Sequence, residues 1–116
     1  MSLTMTWDRE PSHWQLTLAG ELDYAECTGF RMNIDRMLMS GRRAFVVDLS
    51  EVEYLDSSGL GLLLSLHRGC EIESGKLVLV TGDAVDRILA ISGLSSTFTT
   101  TSCVDEAVRM IQEHTV

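Results

Sequence analysis

The sequence predicts an α/β protein built on a mostly parallel sheet, and three observations carry that expectation. Short apolar runs alternate along the chain with longer segments whose apolar residues recur at helical spacing. Two of the runs, Ala44-Phe45-Val46-Val47 and Leu77-Val78-Leu79-Val80, are continuous rather than alternating, the pattern of strands covered on both faces. The 116 residues are 45% hydrophobic with a single proline and no repeat or linker, so residues 1–116 read as one domain with its own core.

Residues 1–7 and 13–18 read as two short strands. The polar segment 8–12, with Pro11, turns between them and makes them an antiparallel pair. Residues 24–40 read as a helix with Cys27, Phe30, Ile34, Met37 and Leu38 on its apolar side, ended by Gly41. Residues 43–49 form a buried strand. A polar connection leads to a second helix over 58–74, which Gly75 closes. Residues 76–81 form another buried strand and 84–92 a short helix with Val85, Ile88, Leu89 and Ile91. Residues 97–100 read as a short edge strand, and 102–113 as a last helix with Val104, Ala107, Val108 and Ile111 in its stripe. Strand–helix alternation of this kind gives parallel strands with crossover helices, and functional loops then gather beyond the strand C-termini.

Charge narrows the functions. Nine basic residues stand against 17 acidic ones, a net charge of −8. Such a surface repels nucleic-acid phosphates and anionic lipid, so neither direct nucleic-acid binding nor membrane insertion is expected. The N-terminal segment lacks a basic start followed by an apolar run, and the greasy stretch 59–66 is far too short to span a bilayer, so a cytoplasmic location is expected. Cys27, Cys70 and Cys103 are odd in number and widely spaced, without a CxxC pair. They read as reduced core residues rather than a disulfide or metal set. Trp7 and Trp14 read as packing residues on the first two strands, Tyr24 as a core residue at the helix start, Arg87 as a solvated helix charge, and Asp48 as the end of a strand holding a turn.

Two loops concentrate chemistry at one end of the predicted sheet: Gly20-Glu21-Leu22-Asp23 and Asp56-Ser57-Ser58-Gly59. Asp56 or Ser57 caps the helix that follows, whose free first-turn N–H groups and positive dipole end tolerate an added anion. Gly59 and Gly61 remove side chains from the first turn, where another group can approach the backbone. Taken alone, Asp-Ser-Ser-Gly is only a cap and a turn.

The wider pattern says more. Gly20-Glu21-Leu22-Asp23, the run from Asp48 through Asp56-Ser57-Ser58-Gly59-Leu60-Gly61 to Leu64, Ala84-Val85-Asp86-Arg87-Ile88-Leu89 and Ile91-Ser92-Gly93-Leu94 stand in the order and spacing of one family. The chain resembles the STAS-domain anti-sigma factor antagonists over nearly all of its length. The resemblance implies the STAS fold: a mostly parallel four- to five-stranded sheet with an antiparallel N-terminal strand and four helices packed mainly on one face. It implies a non-enzymatic switch without a cofactor. The unphosphorylated antagonist binds an anti-sigma factor that is itself a serine kinase, freeing the sigma factor. The kinase phosphorylates the first serine of the motif, Ser57 here, and a PP2C-type phosphatase resets it. Asp23 and Asp56 match the two acids beside that serine. Glu21, Asp23, Asp56, Ser58 and Gly59 are the candidate partner-binding residues, and a monomer or weak homodimer is the expected state.

Rival readings have less in the sequence. Ser57 does not lie in a Gly-x-Ser-x-Gly elbow, and His13, His67 and His114 are scattered, so a hydrolase triad lacks its parts. No Gly-x-x-x-x-Gly-Lys-[Ser/Thr] loop is present, and no ligand cluster marks a metal site. The alternative that keeps the fold is a non-enzymatic STAS subunit of a lipid-transport or other signalling assembly. The serine after Asp56 favours the switch.

Overall fold

The computed structural model describes residues 2–114, and Met1 of the predicted first strand lies outside them. Among the described residues the order is β1 (Leu3–Arg9), β2 (Trp14–Leu22), α1 (Tyr24–Met39), β3 (Ala44–Leu55), α2 (Ser57–Ile72), β4 (Lys76–Val80), α3 (Asp83–Ile91), β5 (Thr99–Thr101) and α4 (Val104–His114). The strands form one sheet in the order β1-β2-β3-β4-β5. The β1–β2 pair is antiparallel, and every later pair is parallel. This is the α/β arrangement the alternation predicts.

The continuous apolar runs have the expected cause: β3 and β4 are covered on both faces. Phe45, Val47, Leu49, Leu77 and Leu79 face a large core with Phe30, Ile34 and Met37 of α1, Leu62, Leu63 and Leu66 of α2, and Val85 and Leu89 of α3. Val46, Val78 and Val80 face the other way, against Ala107 and Ile111 of α4. Three helices therefore share one face and α4 covers the other. The α1–α2–α3 face carries most of the buried apolar area, and hence most of the hydrophobic stabilisation.

Strand β3 runs six residues past the predicted end, so no separate polar connection precedes α2. The reason is a pair of register shifts against β2. Thr17 pairs with Asp48 and Ala19 with Glu51, then Gly20 with Val52 and Glu21 with Tyr54. Each shift inserts one extra residue in β3, a bulge. Inward positions therefore fall at Leu49, Val52 and Leu55, spaced by three, and the period-two signal of a strand disappears. Asp48 accordingly sits within the strand rather than at its end. Its Oδ1 accepts from the Ser50 backbone N–H at 2.9 Å and from the Ser50 hydroxyl at 2.7 Å, beside the first bulge.

Several side chains depart from expectation. Tyr24 is 79% exposed rather than core. It precedes Phe30 by six residues, which at 3.6 residues per turn places it about 240° around α1 from the buried stripe. Cys27, three residues before Phe30, falls at the stripe's edge and is half-buried, while Cys103 is exposed just ahead of α4. Only Cys70 is a core thiol, pushed up to about 11 by burial. Trp14 packs against the core, but Trp7, on edge strand β1, stays 45% exposed. Helix α2 ends at Ile72, and Ser74 rather than Gly75 takes the left-handed turn, at φ 59°. Gly75 serves a different need, since a Cβ there would lie 2.1 Å from the Arg43 carbonyl oxygen.

Candidate functional site

Helices α1 and α2 begin beside each other, past the C-terminal ends of β2 and β3. The elements position this end closely. Gly20 adopts φ +107°, where side chains are rarely tolerated, and a Cβ there would meet the Ser2 carbonyl oxygen at 2.2 Å. The Glu21 N–H donates to that same oxygen at 3.2 Å, and Glu21 itself is half-buried. Leu22 is fully buried and ends β2, and Asp23 then caps α1: its Oδ1 accepts from the Glu26 N–H at 3.1 Å.

Asp56 caps α2, with Oδ1 accepting from the Gly59 N–H at 3.0 Å. Its other oxygen reaches the neighbouring helix, accepting from the Tyr24 N–H at 3.0 Å. The Asp56 N–H donates to the Leu22 carbonyl at 3.3 Å. That carbonyl is also why position 59 is glycine: a Cβ there would lie 2.6 Å from it and 3.2 Å from the Leu55 Cβ. The first turn of α2 thus sits directly on the end of β2.

Ser57 is the first residue of α2 and is exposed. Ser58 is half-buried and turns toward α1. There it lines a groove of about 550 Å³ whose walls are Tyr24, Cys27, Thr28, Arg31, Met32 and Asp35 on one side, and Gly61, Leu62 and Ser65 on the other. The structure therefore gathers Glu21, Asp23, Asp56, Ser57, Ser58 and Gly59 at one end of the molecule. The groove residues on α1 carried no motif signal in the sequence. Only their spacing along one helix face, at 24, 28, 31 and 35, could have suggested them.

The local electrostatics are negative. The Cys27 thiol is raised first by burial and then by the carboxylates of Asp56 and Asp23, with Arg31 opposing. His67 and His13 stand away from Ser57. His67 is ten residues further along α2, about 15 Å at 1.5 Å per residue. It pairs with Glu71 at 3.4 Å and meets the Phe98 ring edge-on. His13 is buried beside Ser12 and Gln15 in the β1–β2 turn, at the opposite end of β2. Among the described residues, no group of three or more His, Cys, Asp or Glu is placed to hold a metal ion. No helix among them is long and apolar enough to cross a membrane. What the site offers is an exposed hydroxyl on a helix N-terminus, beside two carboxylates already engaged as caps.

Comparison with known proteins places this arrangement in a family. A family profile described as "Mlab, STAS domain" matches residues 5–101. A STAS-domain containing protein of Pseudomonas aeruginosa is 32% identical over 99 residues, spanning 84% of this chain and 97% of that protein. An anti-sigma-B factor antagonist of Staphylococcus aureus is 27% identical over 95 residues, spanning 81% of this chain and 88% of the antagonist. The crystal structure of an anti-sigma factor antagonist from Mycobacterium paratuberculosis superimposes with a TM-score of 0.85 at 27% identity, covering 96% of this chain and 95% of that one. The chain belongs to the STAS domain family. Within that family it is similar in sequence and fold to anti-sigma factor antagonists.

Proposed function

We propose that this chain is a cytoplasmic, non-enzymatic, single-domain anti-sigma factor antagonist switched by phosphorylation of Ser57. Unphosphorylated, it binds an anti-sigma factor that is a serine kinase and so releases a sigma factor. The kinase phosphorylates Ser57, binding ends, and a PP2C-type phosphatase restores it. Glu21, Asp23, Asp56 and Ser58 form the contact around the switch, while Gly59, expected from the sequence to share it, is buried against the end of β2 and holds the turn. The observation that carries this reading is the placement of Ser57: an exposed hydroxyl at the first position of α2, on a turn held rigid by Asp56 and Gly59.

The physics suits a switch that spares the fold. A phosphoserine adds about −1.5 to −2 charges at neutral pH. At a helix N-terminus that charge meets the positive end of the dipole. A bound partner surface, however, must desolvate that charge where Asp23 and Asp56 already crowd it, and burying an unpaired ion costs several kcal/mol.

The test is capture of partners from the native cell with wild-type and Ser57→Ala protein, followed by intact-mass measurement. A serine kinase in both eluates, with one phosphate on wild type and none on Ser57→Ala, is expected. Recovery of a transport ATPase with neither protein phosphorylated would instead assign the domain to a transport assembly.

A further inference from the structure

We propose that β1 is the contact of a two-fold homodimer: the outer edge of Leu3–Arg9 pairs antiparallel with the same strand of a second copy, with the axis at Thr6, and joins the two sheets into one. This goes beyond the switch proposed above and does not rest on it.

The backbone supplies the first argument. β1 ends the sheet and pairs only with β2. The Glu10 N–H donates to the His13 carbonyl at 2.9 Å, and the Glu21 N–H to the Ser2 carbonyl at 3.2 Å. Both bonds continue the β1–β2 register, in which bonded and non-bonded pairs alternate. Thr4, Thr6 and Asp8 are therefore bonded to β2, and the N–H and C=O groups of Leu3, Met5, Trp7 and Arg9 point outward. Such an edge is a template for another strand, and proteins usually block it with a proline, a lysine, a bulge or a very short strand. The opposite edge, β5, is only three residues long. β1 has seven residues in unbroken register with β2, and no proline, glycine or lysine among them.

The side chains select a second copy as the occupant. Residues directly opposite each other in a sheet share a face. Met5 and Trp7, opposite the fully buried Leu18 and Leu16, thus carry the core-side apolar row out to the edge. Met5 packs against that core, while Trp7, beside Trp14 and Met37, stays 45% exposed. With Thr6 on a two-fold axis all seven residues meet a partner. Met5 then faces Trp7 and Leu3 faces Arg9, each pair joining two outward-bonding residues. Thr4 faces Asp8, and Thr6 faces its own copy. Trp7 gains an apolar neighbour, and no like charges stand opposite each other. Moving the axis to Met5 or Trp7 shortens the overlap, and moving it to Asp8 sets that carboxylate against itself. The paired edges would exchange about eight backbone hydrogen bonds, close to the ten or so of an ordinary interface.

The test is sedimentation equilibrium of wild type, Thr6→Lys and Thr6→Glu, each alone and the two variants mixed equally, at concentrations up to about 1 mM. Thr6 is exposed and its backbone groups stay bonded to β2, so either substitution leaves the fold in place. Wild type should dimerise. Each variant alone should self-associate about tenfold or more weakly, because like charges then meet on the axis. The mixture should recover the dimer, with the two introduced charges facing each other. Amide exchange reads the register directly: the N–H groups of Leu3, Met5, Trp7 and Arg9 should become protected as concentration rises. A wild type that stays monomeric, a dimer that neither variant weakens, a mixture that stays monomeric, or exchange at those four amides that ignores concentration would overturn the proposal.

Discussion

The carboxylate of Asp56 binds two helices at once: one oxygen accepts from the Gly59 N–H of its own helix, and the other from the N–H of Tyr24, 32 residues away, each at 3.0 Å. Asp23, by contrast, caps only its own helix. Asp56 therefore ties the first turn of α1 to the first turn of α2, beside Ser57.

This asymmetry gives the first prediction. Loss of a capping acid typically costs about 1 kcal/mol. Asp23→Ala should therefore cost about 1 kcal/mol and Asp56→Ala about 2 kcal/mol. Asp56→Asn keeps one acceptor oxygen and should fall between wild type and Asp56→Ala. Urea denaturation measures all three, and an Asp56→Ala no costlier than Asp23→Ala would remove the bridging role.

The two glycines of the first turns of α2 should respond in opposite directions. Gly59→Ala drives a Cβ into the Leu22 carbonyl and the Leu55 side chain, overpacking that costs about 1–3 kcal/mol. Gly61→Ala meets nothing and replaces a poor helix former, a gain of about 0.5–1 kcal/mol. Thermal unfolding should show Gly59→Ala melting below wild type and Gly61→Ala above it, and a fall in Tm for Gly61→Ala would contradict the open geometry.

Much of this arrangement was legible in the sequence, for identifiable reasons. Phe45–Val47 and Leu77–Val80 are apolar without alternation because they are covered on both faces, and a parallel sheet follows. Asp56-Ser57-Ser58-Gly59 carries its own cap chemistry, so the helix start was readable to within one residue. What escaped was non-local. The bond from Asp56 to Tyr24 joins residues that only the fold brings together. Val52 and Leu55 are strand residues whose period is broken by bulges, so β3 read too short. Tyr24 continues an apolar pattern but lies on the wrong side of α1, an angular fact that a residue-type count does not convey.

His13 supplies a pH dependence whose sign is fixed by its surroundings. Burial lowers its pKa below the ordinary 6.5, Arg42 adds in the same direction, and the Gln15 bond and Glu10 oppose them. Well above 6.5 the imidazole is neutral in both folded and unfolded chains, so stability is complete there. As pH falls below 6.5 the unfolded chain takes up a proton that the folded chain resists, so stability declines until the lowered folded pKa is passed. His13→Gln should flatten that decline, and the difference between the two stability curves from about pH 7.5 to 5 isolates this residue from the other histidines. A wild-type curve parallel to that of His13→Gln would show that His13 does not couple to folding.

Ser57→Asp separates the fold from the switch. An acid in the first turn of a helix gains about 0.3–1 kcal/mol from the dipole, and here repulsion from Asp56 and Asp23 works against that gain. The net change in stability should stay within about 0.5 kcal/mol, because Ser57 is exposed and no packing is lost. Partner affinity should fall about tenfold or more, since a partner surface shaped to the neutral hydroxyl must desolvate an added carboxylate crowded by Asp56 and Asp23. Ser57→Asn, similar in size but uncharged, should bind closer to wild type. Equal losses for Ser57→Asp and Ser57→Asn in a titration against the captured kinase would mean that the contact is steric, and that charge does not operate the switch.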